Sequence, residues 1–191
     1  MVLTHLELRN FRNHTNTVVD CTEGINVFLG DNGEGKTNLL EAISYLCLTK
    51  SFLNANDRTV LMNGENAFSV KGIVFSTQGT KYNINVEFHS DINEKKYTLN
   101  DATVLPLSSI IGEFPVVILS PEYRSITFNM PSDRRRFIDM IISQASRSYF
   151  EDLQEYRRIL RQRNRILMDA RKTGTDCLDL LEPRCSYHSS S

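Results

Sequence analysis

Residues 30–37, here called the phosphate loop, have the residue types and spacing of a nucleotide site. They fit the pattern GxxxxGK(S/T) at every position: Gly30, Asp31, Asn32, Gly33, Glu34, Gly35, Lys36 and Thr37. Glycines permit a tight turn whose backbone N–H groups point inward at phosphate oxygens, and the next helix adds the positive end of its dipole. We expect Lys36 to reach the β- and γ-phosphates and the Thr37 hydroxyl to bind Mg²⁺.

The elements around the phosphate loop are those that such a site needs. Residues 25–29 are a short, mostly apolar run that predicts a buried strand. Leu39, Ile43 and Leu46 then recur at helical spacing, which predicts a helix. The motif arises by chance in about one chain of this length in a hundred, given the average frequency of glycine. Strand, loop and helix in this order therefore predict nucleotide binding, with ATP and Mg²⁺ as the expected ligands.

Alternation of apolar and polar residues predicts antiparallel strands on both sides of this unit. His5–Arg9 and Thr17–Asp20 read as a hairpin, and residues 67–99 read as a meander with a turn signal at its end, Asn100-Asp101. Pro115–Ser120 predicts a second buried strand, ended by a proline.

The last third of the chain predicts helices. Ser132 is the expected N-cap of a helix over 133–143, and apolar spacings of three, four and seven over 149–171 predict a long amphipathic or coiled-coil arm. Periodicity stops after Lys172, so residues 173–191 are expected to be a disordered tail or a truncation end.

Composition excludes several classes of protein. The net charge is -1, and no apolar run approaches a membrane span or a signal peptide, so we expect a cytoplasmic protein. Four cysteines, Cys21, Cys47, Cys177 and Cys185, lack disulfide spacing and are expected to be reduced. A zinc site formed by Cys177, Cys185 and His188 would lack a fourth ligand.

Several segments together resemble the RecF family of bacterial recombination mediators, related to the ABC and SMC-like ATPases. The phosphate loop is shared with many ATPases, whereas the triplet Arg134–Arg136 and the run Arg161–Asn164 are specific to this family. The resemblance covers residues 1 to about 167. The segments that carry it are 10–13, 30–43, 49–52, 99–101, 114–122, 131–139 and 156–164.

The resemblance implies an α/β fold, a P-loop NTPase of the ABC-ATPase head type. Its sheet is expected to be mixed, with an antiparallel β meander, and to be followed by a helical second-lobe arm. The implied domains are an ATPase lobe over 1–131, a partial helical lobe over 132–172 and the tail over 173–191.

The implied function is that of the N-terminal ATP-binding part of a protein that acts in DNA repair and replication restart. Such a protein binds DNA, including junctions between single and double strands, dimerises on ATP binding and works with RecR-type mediators. Family members place the segment that contains Arg12 near the ATP, although an arginine beside a strand is more often a surface residue. The other arginines proposed for DNA are Arg134, Arg135, Arg136, Arg157, Arg158, Arg161, Arg163 and Arg165.

Both arginine groups have an alternative interpretation. The triplet could cap acidic neighbours, and the second group could form the solvated face of a long helix. The family's signature sequence and its strand-end acidic pair are not found in this sequence, so catalytic residues are not assigned and little ATP hydrolysis is expected from this chain. The alternative function is a stand-alone P-loop kinase or GTPase. A kinase needs a strand-end acid and an arginine lid, a GTPase needs an Asn-Lys-x-Asp motif, and none of these is found.

Overall fold

The computed structural model describes residues 1–53, 55–119 and 131–173, which belong to two compact units. The first unit runs from Met1 to Arg134, and the second begins at Arg135. The predicted lobe boundary at residue 131 stays a prediction. The tail proposed for 173–191 lies outside the described residues, apart from Thr173 at the end of a helix.

An antiparallel sheet of six strands organises the first unit, in the order β2-β1-β3-β4-β5-β6. The predicted hairpin and meander are both confirmed. Positive φ angles at Asn100 and Asp101, 49° and 67°, make the tight turn between the last two strands. The strands are β1 Val2–Phe11, β2 His14–Asp20, β3 Ala67–Phe75, β4 Lys81–His89, β5 Glu94–Leu99 and β6 Ala102–Thr103.

One long helix covers the inner face of the sheet. Helix α1, Lys36–Leu48, follows the phosphate loop as predicted. The described residues of the first unit also form the short helix α2, Asp57–Val60, and a 3₁₀ turn, Leu107–Ile110. Alternate residues of β3 and β4 are buried beneath α1 because successive side chains of a strand point to opposite faces. The core therefore lies between α1 and the sheet.

Three aromatic rings fix how α1 sits on the sheet. Phe11 from β1, Tyr45 from α1 and Phe68 from β3 are fully or almost fully buried, and their centroids lie 5.4–5.5 Å apart in edge-to-face geometry. A side chain at Gly72 in β3 would collide with Leu46 of α1. Helix α1 therefore approaches the sheet closely at Gly72. The three aromatic rings form a second contact between α1 and the sheet.

Two predicted strands are wrong. Residues 25–29 and 115–119 pair with no strand among the described residues, and Ser120 lies outside them. Ile25, Leu29 and Leu119 are 90%, 88% and 92% exposed. Every pairing of the described sheet is antiparallel, so the expected mixed sheet is not formed by these residues. A strand requires a neighbour to bond its backbone groups, and an apolar run predicts burial without supplying that neighbour.

Two helices are described from residue 131 onward: α3, Pro131–Ala145, whose first four residues belong to the first unit, and α4, Arg147–Thr173. Helix α3 begins with its proline, a favoured first residue, so the prediction that Ser132 is the N-cap is wrong. The Tyr149 hydroxyl of α4 donates to Asp139 of α3 over 2.7 Å, and Arg157 donates to the same carboxylate over 3.1 Å. No described helix is both long and apolar enough to cross a membrane.

Candidate nucleotide-binding site

The phosphate loop depends on glycine at two points. A side chain at Gly30 would collide with the Glu34 carboxylate. Gly35 has a φ of +95°, and its Cβ would lie 2.5 Å from both Asn13 Oδ1 and His14 Nε2. A larger residue at Gly35 would therefore strain the backbone and displace its neighbours.

The Lys36 ammonium is held over the loop by backbone carbonyls. Lys36 Nζ donates to the Gly30 carbonyl over 2.7 Å and to the Asp31 carbonyl over 2.6 Å. The loop is closed further by the Asp31 N–H, which donates to Glu34 Oε2 over 2.9 Å. An ammonium group has three N–H donors, so one more can point at a phosphate oxygen.

The start of α1 is open to an anion. Gly35 is its N-cap, no side chain caps its first turn and no acidic residue lies in that turn. The first N–H groups of a helix have no partner within the helix, and they carry the positive end of the dipole. Thr37 is exposed in this first turn. The structure therefore brings the predicted loop residues together at a helix start suited to phosphate.

Residues that the sequence did not assign to the site support the loop from outside. Asn13, in the turn between β1 and β2, donates through Nδ2 to the Gly33 carbonyl over 3.0 Å. Asn38 of α1 donates to Asn13 Oδ1 over 2.8 Å, and His14 Nε2 lies 3.2 Å from the Gly35 carbonyl oxygen. The family resemblance places the segment that contains Asn13 near the ATP, but no spacing or periodicity in the sequence marks His14 or Asn38.

Arg12 is engaged by a buried carboxylate. Its Nε and Nη2 each donate to Glu41 of α1 over 2.8 Å, and its Nη1 donates to the Thr59 carbonyl over 3.0 Å. The Glu41 side chain is fully buried and also accepts a hydrogen bond from Ser51 Oγ. The hydrogen bonds to Glu41 raise the pKa of Arg12 above its ordinary value, against the opposing effect of burial. A contact between Arg12 and a nucleotide stays a prediction.

The arginines proposed for DNA are all exposed in the second unit or at its edge. The sequence contains no acid within residues 157–165, yet the structure supplies acids from neighbouring turns and from α3. Arg157 pairs with Asp139, Arg158 pairs with Glu155 over 2.5 Å and Arg165 lies 4.0 Å from Asp169. Hydrogen bonding to Arg158 lowers the pKa of Glu155. No ion pair is recorded between Arg161 or Arg163 and another described residue, and the same holds for Arg134–Arg136.

Known proteins are similar to this chain in sequence and in fold. A family model described as an AAA domain matches residues 5–176. The chain belongs to the AAA domain family. The chain is 40% identical over 167 residues to the DNA replication and repair protein RecF of Prosthecochloris aestuarii, and the match covers 87% of the chain and 45% of that relative. It is 41% identical over 169 residues to RecF of Chloroherpeton thalassium, at 88% and 46% coverage.

A comparison with solved structures also finds RecF. A structure of the recombination mediator protein RecF with ATP, in the RecFOR pathway, matches this chain with a TM-score of 0.86 and 33% identity. The match covers 95% of this chain and 48% of that one. The chain thus spans about half the length of the RecF proteins it matches. The resemblance to RecF and the ABC-ATPase head type of fold are confirmed, and the kinase or GTPase alternative is not supported.

Proposed function

We propose that this chain binds ATP at the phosphate loop, as the ATP-binding part of a RecF-like DNA repair protein. The observation that carries the proposal is the Lys36 ammonium, held by the Gly30 and Asp31 carbonyls in front of an uncapped helix start. Uncapped N–H groups and a fixed cation are what a triphosphate binds. The similarity to a RecF structure with ATP supports the same assignment.

Mg²⁺ fits this site only together with the nucleotide. No group of three His, Cys, Asp or Glu side chains that could hold a metal exists among the described residues. Mg²⁺ needs six oxygens and commonly takes several from phosphates and water. The exposed Thr37 hydroxyl would add one protein oxygen, and the metal would neutralise phosphate charge.

Replacing Lys36 by alanine tests the ATP site. The variant loses the cation aimed at the β- and γ-phosphates, so its affinity for ATP falls more than its affinity for ADP. The measurement is titration with fluorescent ATP and ADP analogues. Lys81→Ala, which removes an exposed lysine of β4, is the matched control and keeps the parent affinities. Equal ATP affinity in Lys36→Ala and the parent contradicts the assignment.

DNA is the proposed macromolecular ligand of this cytoplasmic protein, bound through the arginines of α4. Arg161 and Arg163 are exposed, and no ion pair to either is recorded among the described residues, so their charges are available to phosphates. No pattern of aromatic or amide side chains accompanies them, so we expect binding largely independent of base sequence.

The salt dependence of duplex binding tests this role. Replacing Arg161, Arg163 and Arg165 together by glutamine preserves helix propensity, so lost affinity reports charge. Each lost phosphate contact reduces the slope of log affinity against log salt by about 0.9. Lys81→Gln/Lys96→Gln removes two exposed charges from the first unit as the control. Superimposable curves for parent and triple variant remove α4 from the DNA site and leave Arg134–Arg136.

ATP-dependent assembly belongs to the same proposal. We expect dimerisation in the presence of ATP, association with RecR-type mediators, and little ATP turnover by this chain. Light scattering with ATP and with ADP measures the first of these. An unchanged mass in ATP contradicts dimerisation by this chain, and steady turnover that disappears in Lys36→Ala contradicts the expectation of little hydrolysis.

A further inference from the structure

The turn between β1 and β2 and the first residue of β2 contact two carbonyls of the phosphate loop. Asn13 donates to the Gly33 carbonyl over 3.0 Å, and His14 Nε2 lies 3.2 Å from the Gly35 carbonyl oxygen. Both carbonyls belong to glycines of the motif, and Gly33 has a φ of +93°. Glycine at such angles has many accessible conformations, so bonds from outside the loop can select one of them.

The direction of these carbonyls determines where the loop's donors point. In a planar trans peptide the C=O and the next N–H point in opposite directions. A Gly33 carbonyl that faces Asn13 therefore directs the Glu34 N–H away from Asn13, where it donates to the Asp31 carbonyl over 3.4 Å. His14 lies against the Gly35 carbonyl, so the Lys36 N–H likewise points away from His14. The Leu39 N–H also donates to the Gly35 carbonyl, over 3.1 Å, in the first bond of α1.

Asn13, in the turn, and His14, the first residue of β2, are themselves held in place. Asn38 donates to Asn13 Oδ1 over 2.8 Å, which leaves the Asn13 amide nitrogen directed at Gly33. His14 Nδ1 lies 2.9 Å from Thr17 Oγ1. A carbonyl can only accept, so a neutral His14 donates from Nε2 to Gly35, and its Nδ1 accepts from the Thr17 hydroxyl.

The turn is also bound to α1 through Arg12. Arg12, the residue before Asn13, makes two hydrogen bonds of 2.8 Å to the fully buried Glu41. The turn, the phosphate loop and α1 are therefore connected through Arg12, Asn13 and His14 in sequence. A side chain at Gly35 would enter the space that Asn13 and His14 occupy.

We propose that Asn13 and His14 are positioning residues that set the peptide planes of the phosphate loop for ATP. This inference rests on the proposed ATP site. The two side chains act on the Gly33 and Gly35 carbonyls and so hold the loop backbone in one conformation before ATP arrives. Their loss weakens ATP binding because a less ordered loop must be ordered on binding.

Three variants of the full chain test the proposal. Asn13→Ala removes the bond to Gly33, and we expect ATP affinity to fall about fivefold to tenfold, the effect of losing one or two neutral hydrogen bonds. His14→Phe keeps a ring but has no donor, and its ATP affinity is expected to fall by a similar factor. His14→Gln retains an N–H donor and is expected to keep most of the parent's ATP affinity. Asn16→Ala, an exposed asparagine of β2, is the matched control and leaves affinity unchanged.

Nuclear magnetic resonance separates positioning from direct contact with ATP and from loss of folding. Without nucleotide, the amide signals of Glu34 and Lys36 shift or broaden in Asn13→Ala and His14→Phe, while those of Val70 and Val86 in the sheet stay in place. Unchanged loop signals together with weakened ATP binding would mean that the side chains contact ATP directly, and this overturns the proposal. Movement of the sheet signals as well would mean a general folding role and overturns it too.

The ATP site and the positioning role fail separately. If Lys36→Ala keeps the parent affinity for ATP, the site itself is wrong. If Lys36→Ala loses affinity while Asn13→Ala and His14→Phe retain it, only the positioning role is wrong. Failure of His14→Gln to recover affinity would overturn the assignment of the donor bond at His14.

Discussion

Replacing Arg12 by methionine is expected to destabilise the first unit strongly, because the change leaves a buried carboxylate without its cation. Glu41 is fully buried and receives two of its three side-chain hydrogen bonds from Arg12. Removing one partner of a buried ion pair costs about 3–5 kcal/mol. The Arg12 side chain is 25% exposed and Ser51 still donates to Glu41, so we expect the lower end, about 3 kcal/mol.

A double-mutant cycle isolates the pair. Arg12→Met/Glu41→Met removes both charges and replaces them with apolar chains, so the double variant is expected to be more stable than Arg12→Met alone. Urea denaturation followed by circular dichroism is the assay. A loss of about 3 kcal/mol moves the midpoint by about 1.5 M when the slope is about 2 kcal/mol per molar urea.

A surface arginine of β1, the strand that Arg12 follows, is the control. Arg9 pairs with Glu7 over 2.9 Å, and its side chain is 60% exposed. Arg9→Met is therefore expected to cost less than about 1 kcal/mol. A loss of unfolding free energy in Arg12→Met no larger than that in Arg9→Met would contradict a stabilising buried pair. Additive losses from the single changes at Arg12 and Glu41 would contradict it as well.

Three further predictions concern the core. Tyr97→Phe removes the 2.8 Å bond from the Tyr97 hydroxyl to the Leu46 carbonyl, which is buried, and costs about 1–3 kcal/mol in urea denaturation; Tyr82→Phe, for which no hydroxyl bond is recorded among the described residues, is the control. Burial raises the pKa of Cys47 from 9.0 to about 12, so alkylation at pH 8 is about a thousandfold slower than for an exposed thiol, and equal rates in folded and urea-unfolded protein would contradict this. Gly72→Ala places a methyl group against Leu46 and costs about 1–3 kcal/mol by thermal unfolding; unchanged stability would mean that α1 moves away freely.

The parts of the fold that sequence could predict are those with local signals. The alternation in β3 and β4, the turn at Asn100-Asp101 and the glycine spacing before α1 each lie within one short window. The two wrong strands had the same kind of local signal. Apolar residues at 25–29 and 115–119 indicate a preference for burial, but backbone pairing depends on another segment that no local window contains.

The support around the site could not be predicted because it joins residues far apart in sequence. Asn13 meets Gly33 across 20 positions, and Arg12 meets Glu41 across 29. Glu41 lies in α1, and from the sequence alone an acidic residue in an amphipathic helix is expected to face solvent. Only the arrangement of β1, the turn and α1 shows that this acid is buried against a cation.

The exposed run at 25–29 has a consequence for how association and nucleotide affinity depend on each other. Leu29, 88% exposed, is directly followed by Gly30, whose carbonyl holds the Lys36 ammonium. Any chain segment that covers Ile25 and Leu29 would restrict the backbone one residue before the phosphate loop. Such coupling is reciprocal by thermodynamic necessity: a contact that changes ATP affinity by some factor is itself strengthened or weakened by ATP by the same factor. Nucleotide titrations repeated at several protein concentrations would measure that factor directly.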